Sequence, residues 1–201
     1  MKEFWDARYS EPGSAYGESA NEFLTRQAGR LLAPGMKVLV VGDGEGRNGV
    51  WLAQQGMNVT SVDYSEAAVK KARALVAQRE VQLNSVCADL NEWFWPQDEF
   101  DAVISIYLHF PSAQRPLMHA RMLAALKPGG VLIMEAFNKN QLNYPSGGPP
   151  VEDALFSAEL LKQDFSAALI ERCQESVIEL NEGKYHVGPA AVVRLIAYRP
   201  E

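Results

Sequence analysis

Residues 38–49 read VLVVGDGEGRNG. Four apolar residues run straight into glycines at 42, 44 and 46. A short valine-rich run of this kind is a buried strand. Glycines directly after it permit φ > 0 and let another molecule lie against bare backbone. One glycine would be enough to turn the chain tightly into a helix. Three in five positions, opening a helical pattern at Arg47, point instead to a ligand at the carboxyl end of a strand, where open α/β sheets bind.

The rest of the chain agrees with such a sheet. Apolar, β-branched runs predict strands at Met36–Val41, Met57–Val62, Val81–Cys87, Phe100–Ile106 and Val131–Ala136. Helical patterns fall between them at Arg47–Gln55, Glu66–Gln78 and Pro111–Leu126. Strict alternation implies βαβ units and a parallel sheet with helices on both faces. Near the C-terminus, Leu169–Leu180 alternates, Asn181-Glu182-Gly183 supplies a turn, and Ala190–Tyr198 is apolar, which predicts an antiparallel hairpin at the sheet edge. The segment NKNQLNYPSGGPP, 138–150, is too rich in Gly and Pro for regular structure and reads as a long loop over an active site.

Composition limits the function. The chain has 201 residues, 47% of them apolar, enough for one domain spanning 1–201. Lys and Arg number 19 against 25 Asp and Glu, a net charge of −6 that disfavours nucleic-acid partners. Cys87 and Cys173 are too few for a disulfide framework or a cysteine metal site and fit a reducing compartment. The opening MKEFWDARYS lacks the apolar run of a signal peptide, and no stretch approaches ~18 apolar residues. The expectation is a cytoplasmic monomer with no metal, membrane or nucleic-acid partner.

The ligand can be narrowed further. The dinucleotide fingerprint G-x-G-x-x-G fails at its third glycine, which falls at 46, with Arg47 in its place. Asp43 and Glu45 would repel a pyrophosphate at close range. A nucleoside with an amino-acid tail meets no such repulsion, so S-adenosyl-L-methionine is the expected cofactor. Asp63 ends the second strand about 20 positions after Gly42, where a carboxylate holds a ribose diol. Ser65 serves as the cap of the next helix and leaves Asp63 for the ribose. Asp89 and the Leu90 backbone, after the third strand, suit the adenine edge, with Tyr64 as an apolar wall.

VLVVGDGEGRN, VTSVDYS, CADL, FDAVISIYLHF and LKPGGVLIMEAF occur in the order found in class I S-adenosylmethionine-dependent methyltransferases. The chain resembles that family across most of Val38–Phe137. The resemblance implies an α/β, Rossmann-like, seven-stranded sheet in order 3-2-1-4-5-7-6, mostly parallel, with the seventh strand antiparallel. GEGRN, WDARY and YLHFP further resemble small bacterial members grouped with tellurite-resistance and thiopurine methyltransferases. One position departs from the pattern. Many members carry an acid two residues before the first glycine, where this chain has Val40. Glu45 or the backbone near Ser105 is the expected substitute for holding the methionine ammonium.

Methyl transfer from a sulfonium needs alignment and exclusion of water more than acid–base chemistry. A sulfonium also favours aromatic faces. Trp5, Tyr9 and Tyr16 stand in an N-terminal helical segment, 1–33, that reads as a lid, with Tyr16 expected nearest the cofactor. His109, past the fourth strand, is the candidate general base or substrate-orienting group, and His186 on the hairpin is a second. No Asn/Asp-Pro-Pro-Tyr and no Pro-Cys follows the fourth strand, so nucleic-acid methylation is not expected. A small-molecule acceptor, such as a thiol, chalcogen or metalloid, is. Two alternatives stay open: a catalytically silent cofactor binder and a nicotinamide-dependent oxidoreductase.

Overall fold

The computed structural model describes residues 2–201. The elements are α1 (Lys2–Ser10), α2 (Glu22–Leu31), β1 (Lys37–Val41), α3 (Arg47–Gln54), β2 (Asn58–Asp63), α4 (Glu66–Gln78), β3 (Asn84–Cys87), β4 (Phe100–Ile106), α5 (Arg115–Ala125), β5 (Leu126–Phe137), α6 (Ala158–Asp164), β6 (Leu169–Glu182) and β7 (His186–Tyr198). All seven strands form one sheet in order β3-β2-β1-β4-β5-β7-β6. β1 pairs in parallel with β2 and β4, and β4 with β5; β7 runs antiparallel to β5 and β6. This is the order expected from the resemblance.

β1 is apolar throughout because it is covered twice. Val38 and Val40 pack on one face with Phe23, Leu24 and Ala28 of α2 and Leu52 of α3. Leu39 and Val41 pack on the other with Met118 and Met122 of α5 and Leu161 of α6. Each large apolar side chain so buried contributes roughly 1.5–3 kcal/mol. β6, at the sheet edge, alternates in burial instead.

Several boundaries differ from the sequence expectations. The hairpin strands run on to Glu182 and resume at His186, so the turn sits at 183–185 and Asn181 and Glu182 lie in the ladder. Loop 138–150 holds a short 3-10 turn, Lys139–Asn143, capped by the Asn138 side chain. The expected lid at 1–33 divides: α2 is a core helix, and only the residues before it lie over the sheet mouth. Met1, the first residue of that expected lid, lies outside the described residues.

Candidate active site

The three loop glycines do different work. All have positive φ: 64° at Gly42, 59° at Gly44 and 87° at Gly46. A Cβ on Gly46 would stand 2.9 Å from Ala72 Cβ, so this glycine lets α3 approach α4. A Cβ on Gly42 would meet the Leu108 side chain at 2.8 Å, and one on Gly44 the Tyr9 hydroxyl at 2.7 Å. These two line the mouth.

The two loop acids turn away from it. Asp43 points inward, accepting from Ser61 Oγ at 2.9 Å and from the Gly49 amide, in the first turn of α3, at 3.2 Å. Burial raises its pKa to about 7. Glu45 accepts from Ser14 Oγ and the Ala15 amide through one oxygen and from Lys71 Nζ through the other, at 2.8–2.9 Å. It anchors the N-terminal segment, so both of its oxygens are already engaged.

Asp63 ends β2 with its carboxylate buried under the mouth. Oδ2 accepts from the Gly44 amide and Oδ1 from the Ser65 amide, both at 2.9 Å. Burial raises its pKa, against the pull of those amides. Ser65 caps α4 through Ala68 N. Tyr64 is half-buried beside it. Asp89 is exposed and caps its own turn, Oδ1 accepting from Asn91. Leu90 is buried, and its carbonyl accepts from Trp95 Nε1 at 2.8 Å and from Arg121. Ser105 Oγ, at the end of β4, is buried without a hydrogen-bond partner.

Helix α1 closes this mouth. Tyr9 is 7% exposed over Gly44 and stacks on Trp5 at 5.6 Å. Asp6 accepts from Ser65 Oγ at 2.6 Å. Glu11 bonds Lys184 and Tyr185 of the hairpin turn at 2.7 Å. Tyr9, more than Tyr16, therefore stands over the glycine loop. Tyr16 follows at 6.2 Å and lies 4.4 Å from the His186 ring.

The expected catalytic His109 has both ring nitrogens in use. Nδ1 lies 2.7 Å from Ala154 O, and Nε2 accepts from the Phe137 amide at 3.2 Å. Burial pulls its pKa down to about 4. His119 is in the core, its Nδ1 on Asp164 at 2.7 Å.

A polar network that sequence reading missed lies between β5, β7 and the N-terminal segment. Buried Glu135 accepts from Tyr107 Oη and Asn21 Nδ2 at 2.7 Å and from Arg194 Nε at 2.5 Å. Arg47 and Asn21 extend it to Glu182. Its one visible trace is a charge inside an apolar strand, Glu135 in LIMEAF. Tyr107 holds φ 54° there and stacks on Phe137 at 4.6 Å.

These residues fit an S-adenosyl nucleoside. Bare backbone at Gly42 and Gly44, a carboxylate at the end of β2 and the unpartnered hydroxyl of Ser105 lie around one strand mouth. Among the described residues, no group of three or more His, Cys, Asp or Glu is arranged to hold a metal, and no helix is long and apolar enough to cross a membrane.

Comparison with known proteins agrees. Residues 38–130 match the family described as a methyltransferase domain. The ubiquinone biosynthesis O-methyltransferase of Coxiella burnetii is 33% identical over 117 residues, covering 57% of this chain and 49% of that protein. The probable thiol methyltransferase 2 of Arabidopsis thaliana is 31% identical over 123 residues, 59% of this chain and 53% of that one. The chain thus spans about half the length of these relatives. A solved structure described as "Conversion of a Disulfide Bond into a Thioacetal Group during Echinomycin Biosynthesis" superposes with a TM-score of 0.83 at 20% identity, covering 100% of this chain and 92% of that one. Over residues 38–130 the chain is thus similar to a methyltransferase domain, and its strand order is the one that the resemblance to class I S-adenosylmethionine-dependent methyltransferases implies.

Proposed function

We propose that the protein transfers a methyl group from S-adenosyl-L-methionine to a small-molecule acceptor. The observation that carries this reading is the Asp63 carboxylate held at the end of β2 by the Gly44 and Ser65 amides. It is a preset acceptor for a ribose diol, beside glycines that leave room for the rest of the cofactor. Two hydrogen bonds to a charged carboxylate supply roughly 1.5–3 kcal/mol each.

The bound cofactor would supply an electrophilic methyl on a sulfonium. The chain's own residues do the rest. Gly42 and Gly44 offer backbone in place of side chains, Tyr64 would wall the base, and the exposed Asp89 carboxylate and the Leu90 backbone would hold its edge. Ser105 Oγ is available to the methionine end, where Val40 provides no acid and Glu45 is committed to Ser14, Ala15 and Lys71. Tyr9 and Tyr16 exclude water and present ring faces to positive charge, each worth roughly 0.5–2 kcal/mol. His109, pinned at both nitrogens, acts by positioning the end of β5 and the turn at Ala154.

A thiol, chalcogen or metalloid acceptor, a cytoplasmic setting and a monomeric, single-domain state belong to the same proposal. The acidic charge and the two free cysteines support it. Calorimetry with S-adenosylmethionine, S-adenosylhomocysteine and NADH tests it. Binding of the first two and not the third is expected; preference for NADH would make the chain an oxidoreductase. Turnover on an acceptor panel would separate an enzyme from a silent binder.

A further inference from the structure

We propose that Asp43 is the residue by which the site tells the sulfonium cofactor from its product, which has lost that positive charge. Its enclosed carboxylate, in the glycine loop between Gly42 and Gly44, gives up a proton when S-adenosylmethionine binds and keeps it when S-adenosylhomocysteine binds. This rests on the methyltransferase reading above and adds to it a selectivity between the two ligands.

The fold builds a seat for this acid. Asp43 stands in the glycine loop, yet its side chain turns in between β2 and α3, where the residue is 6% exposed. Oδ2 accepts from Ser61 Oγ of β2 at 2.9 Å, and both oxygens share the Gly49 amide of α3 at 3.2 Å. A Cβ at position 49 would collide with Oδ2, so glycine there makes room for the carboxylate. These donors are all neutral. Among the described residues Asp43 has no ion-pair partner; Arg47, the cation that faces it, is bonded to Ser19 O and Glu182 instead. A carboxylate buried without a counter-ion is costly to ionise, so it holds a proton until a positive charge is brought up.

The other acid of the loop is already balanced. Glu45 is paired with Lys71 at 2.9 Å, and Val40, before the loop, has no charge to offer. Asp43 is therefore the glycine-loop acid whose charge nothing compensates. Gly42 and Gly44 on either side of it carry no side chain, so a ligand held against their backbone comes close to that charge.

S-adenosylmethionine and S-adenosylhomocysteine share their nucleoside and amino-acid groups. They differ by one methyl group and by the positive charge on sulfur. Charges act over several ångströms in a protein, where the effective dielectric constant is about 20 and not 80. The sulfonium charge favours ionised Asp43, and its loss in the product favours the neutral acid. The charged groups facing Asp43 are Asp63 on β2 and Arg47 on α3. Burial, with a smaller push from Asp63, raises its pKa to about 7, while Ser61, the Gly49 amide and Arg47 pull it down. Near neutral pH the acid thus stands close to half-ionised, where an added charge moves it most. As pH rises from 5 to 8 the site therefore gains affinity for the cofactor over the product, and inhibition by the product weakens.

The test uses the full chain and titration calorimetry at pH 6.5. That lies below the ordinary α-amino range of roughly 7.7–8.0, so the amino groups of both ligands stay protonated. Titrations in two buffers of different ionisation enthalpy count the protons exchanged. S-adenosylmethionine should release about half a proton, the amount that follows when a pKa of about 7 falls by one unit, and S-adenosylhomocysteine close to none. Asp43→Asn, which keeps the shape of the side chain, should bind both ligands without release. Relative to this variant, the wild-type ratio of the two affinities should rise roughly tenfold between pH 5 and pH 8. Carboxyl-carbon NMR of the wild-type protein, assigned through the backbone to residue 43, decides the matter even if the variant does not fold. The Asp43 signal should titrate near neutrality in the free protein and in the S-adenosylhomocysteine complex, and at lower pH with S-adenosylmethionine. Equal proton release for both ligands, a difference that persists in Asp43→Asn, or an Asp43 signal that titrates alike in both complexes would overturn the proposal. Failure to bind either ligand would instead overturn the methyltransferase reading.

Discussion

Tyr9 lies directly over Gly44: a single methyl group added to the glycine would fall 2.7 Å from the tyrosine hydroxyl. The residue that bares the backbone and the ring that covers it are thus fitted to one another across the mouth of the sheet. Gly44→Val should abolish S-adenosylhomocysteine binding, because φ of 59° is strained for a β-branched residue and its side chain would displace Tyr9. Tyr9 belongs to a small cluster apart from the two main cores of the sheet, so the variant should still unfold cooperatively. Unchanged affinity in calorimetry would place the cofactor elsewhere.

Asp63→Ala should weaken cofactor binding by roughly 2–4 kcal/mol, since the ribose hydroxyls lose a charged acceptor. The same change leaves the Gly44 and Ser65 amides without their partner, so a modest fall in Tm should accompany it. A Tm change with an unaltered dissociation constant would reduce Asp63 to a loop-bracing role.

His109→Ala should act on stability. It unpairs the Ala154 carbonyl and the Phe137 amide, at a cost of about 1–3 kcal/mol in denaturant unfolding. Cofactor affinity should hold. A large loss of kcat at unchanged stability would return His109 to the chemistry.

Asp43 makes stability depend on pH. Its folded pKa of about 7 lies above the ordinary value of 3.8, so the folded state binds the proton more tightly than the unfolded state. Its contribution is therefore fully present below pH 3.8 and is lost as pH rises through 7. Three pH units correspond to at most ~4 kcal/mol. Asp43→Asn should flatten this fall, read as unfolding free energies at pH 5 and pH 8. A wild-type protein equally stable at both, with no difference from the variant, would contradict it.

The strap over the mouth should respond to ligand. Lys2–Gly17 is tied down through Asp6 to Ser65, through Glu11 to Lys184, and through Ser14 and Ala15 to Glu45. The Glu11–Lys184 contact is exposed, those of Asp6 and Ser14 are part-buried, and only the Ala15 amide bond is fully buried, few enough ties for the segment to open locally. The strap must open to admit the cofactor and close to keep out water. Amide exchange in this segment and in 138–150 should slow when S-adenosylhomocysteine binds. Protection at Val38–Gly49 alone would make Trp5, Tyr9 and Tyr16 packing residues only.

The sheet was legible in the amino-acid order because its determinants are local. VLVVG, FDAVISI and VLIMEAF each state by their own apolar run that they are covered on both faces, and the glycines after β1 and Ser65 after β2 mark where those strands end. The place of Asp63 at the end of β2, beside the glycine loop, was legible for the same reason. The roles of the other polar residues depend on partners far along the chain. Glu45 looks free until Ser14, Ala15 and Lys71 are brought to it, and His109 looks like a base until Ala154 and Phe137 take both its nitrogens. His186 looks like a hairpin residue until Glu182, Tyr16 and Gly147 surround it. Periodicity reports which face of an element is buried. A hydrogen bond is satisfied at about 3 Å by whichever group the fold delivers, and only the tertiary structure decides which group that is.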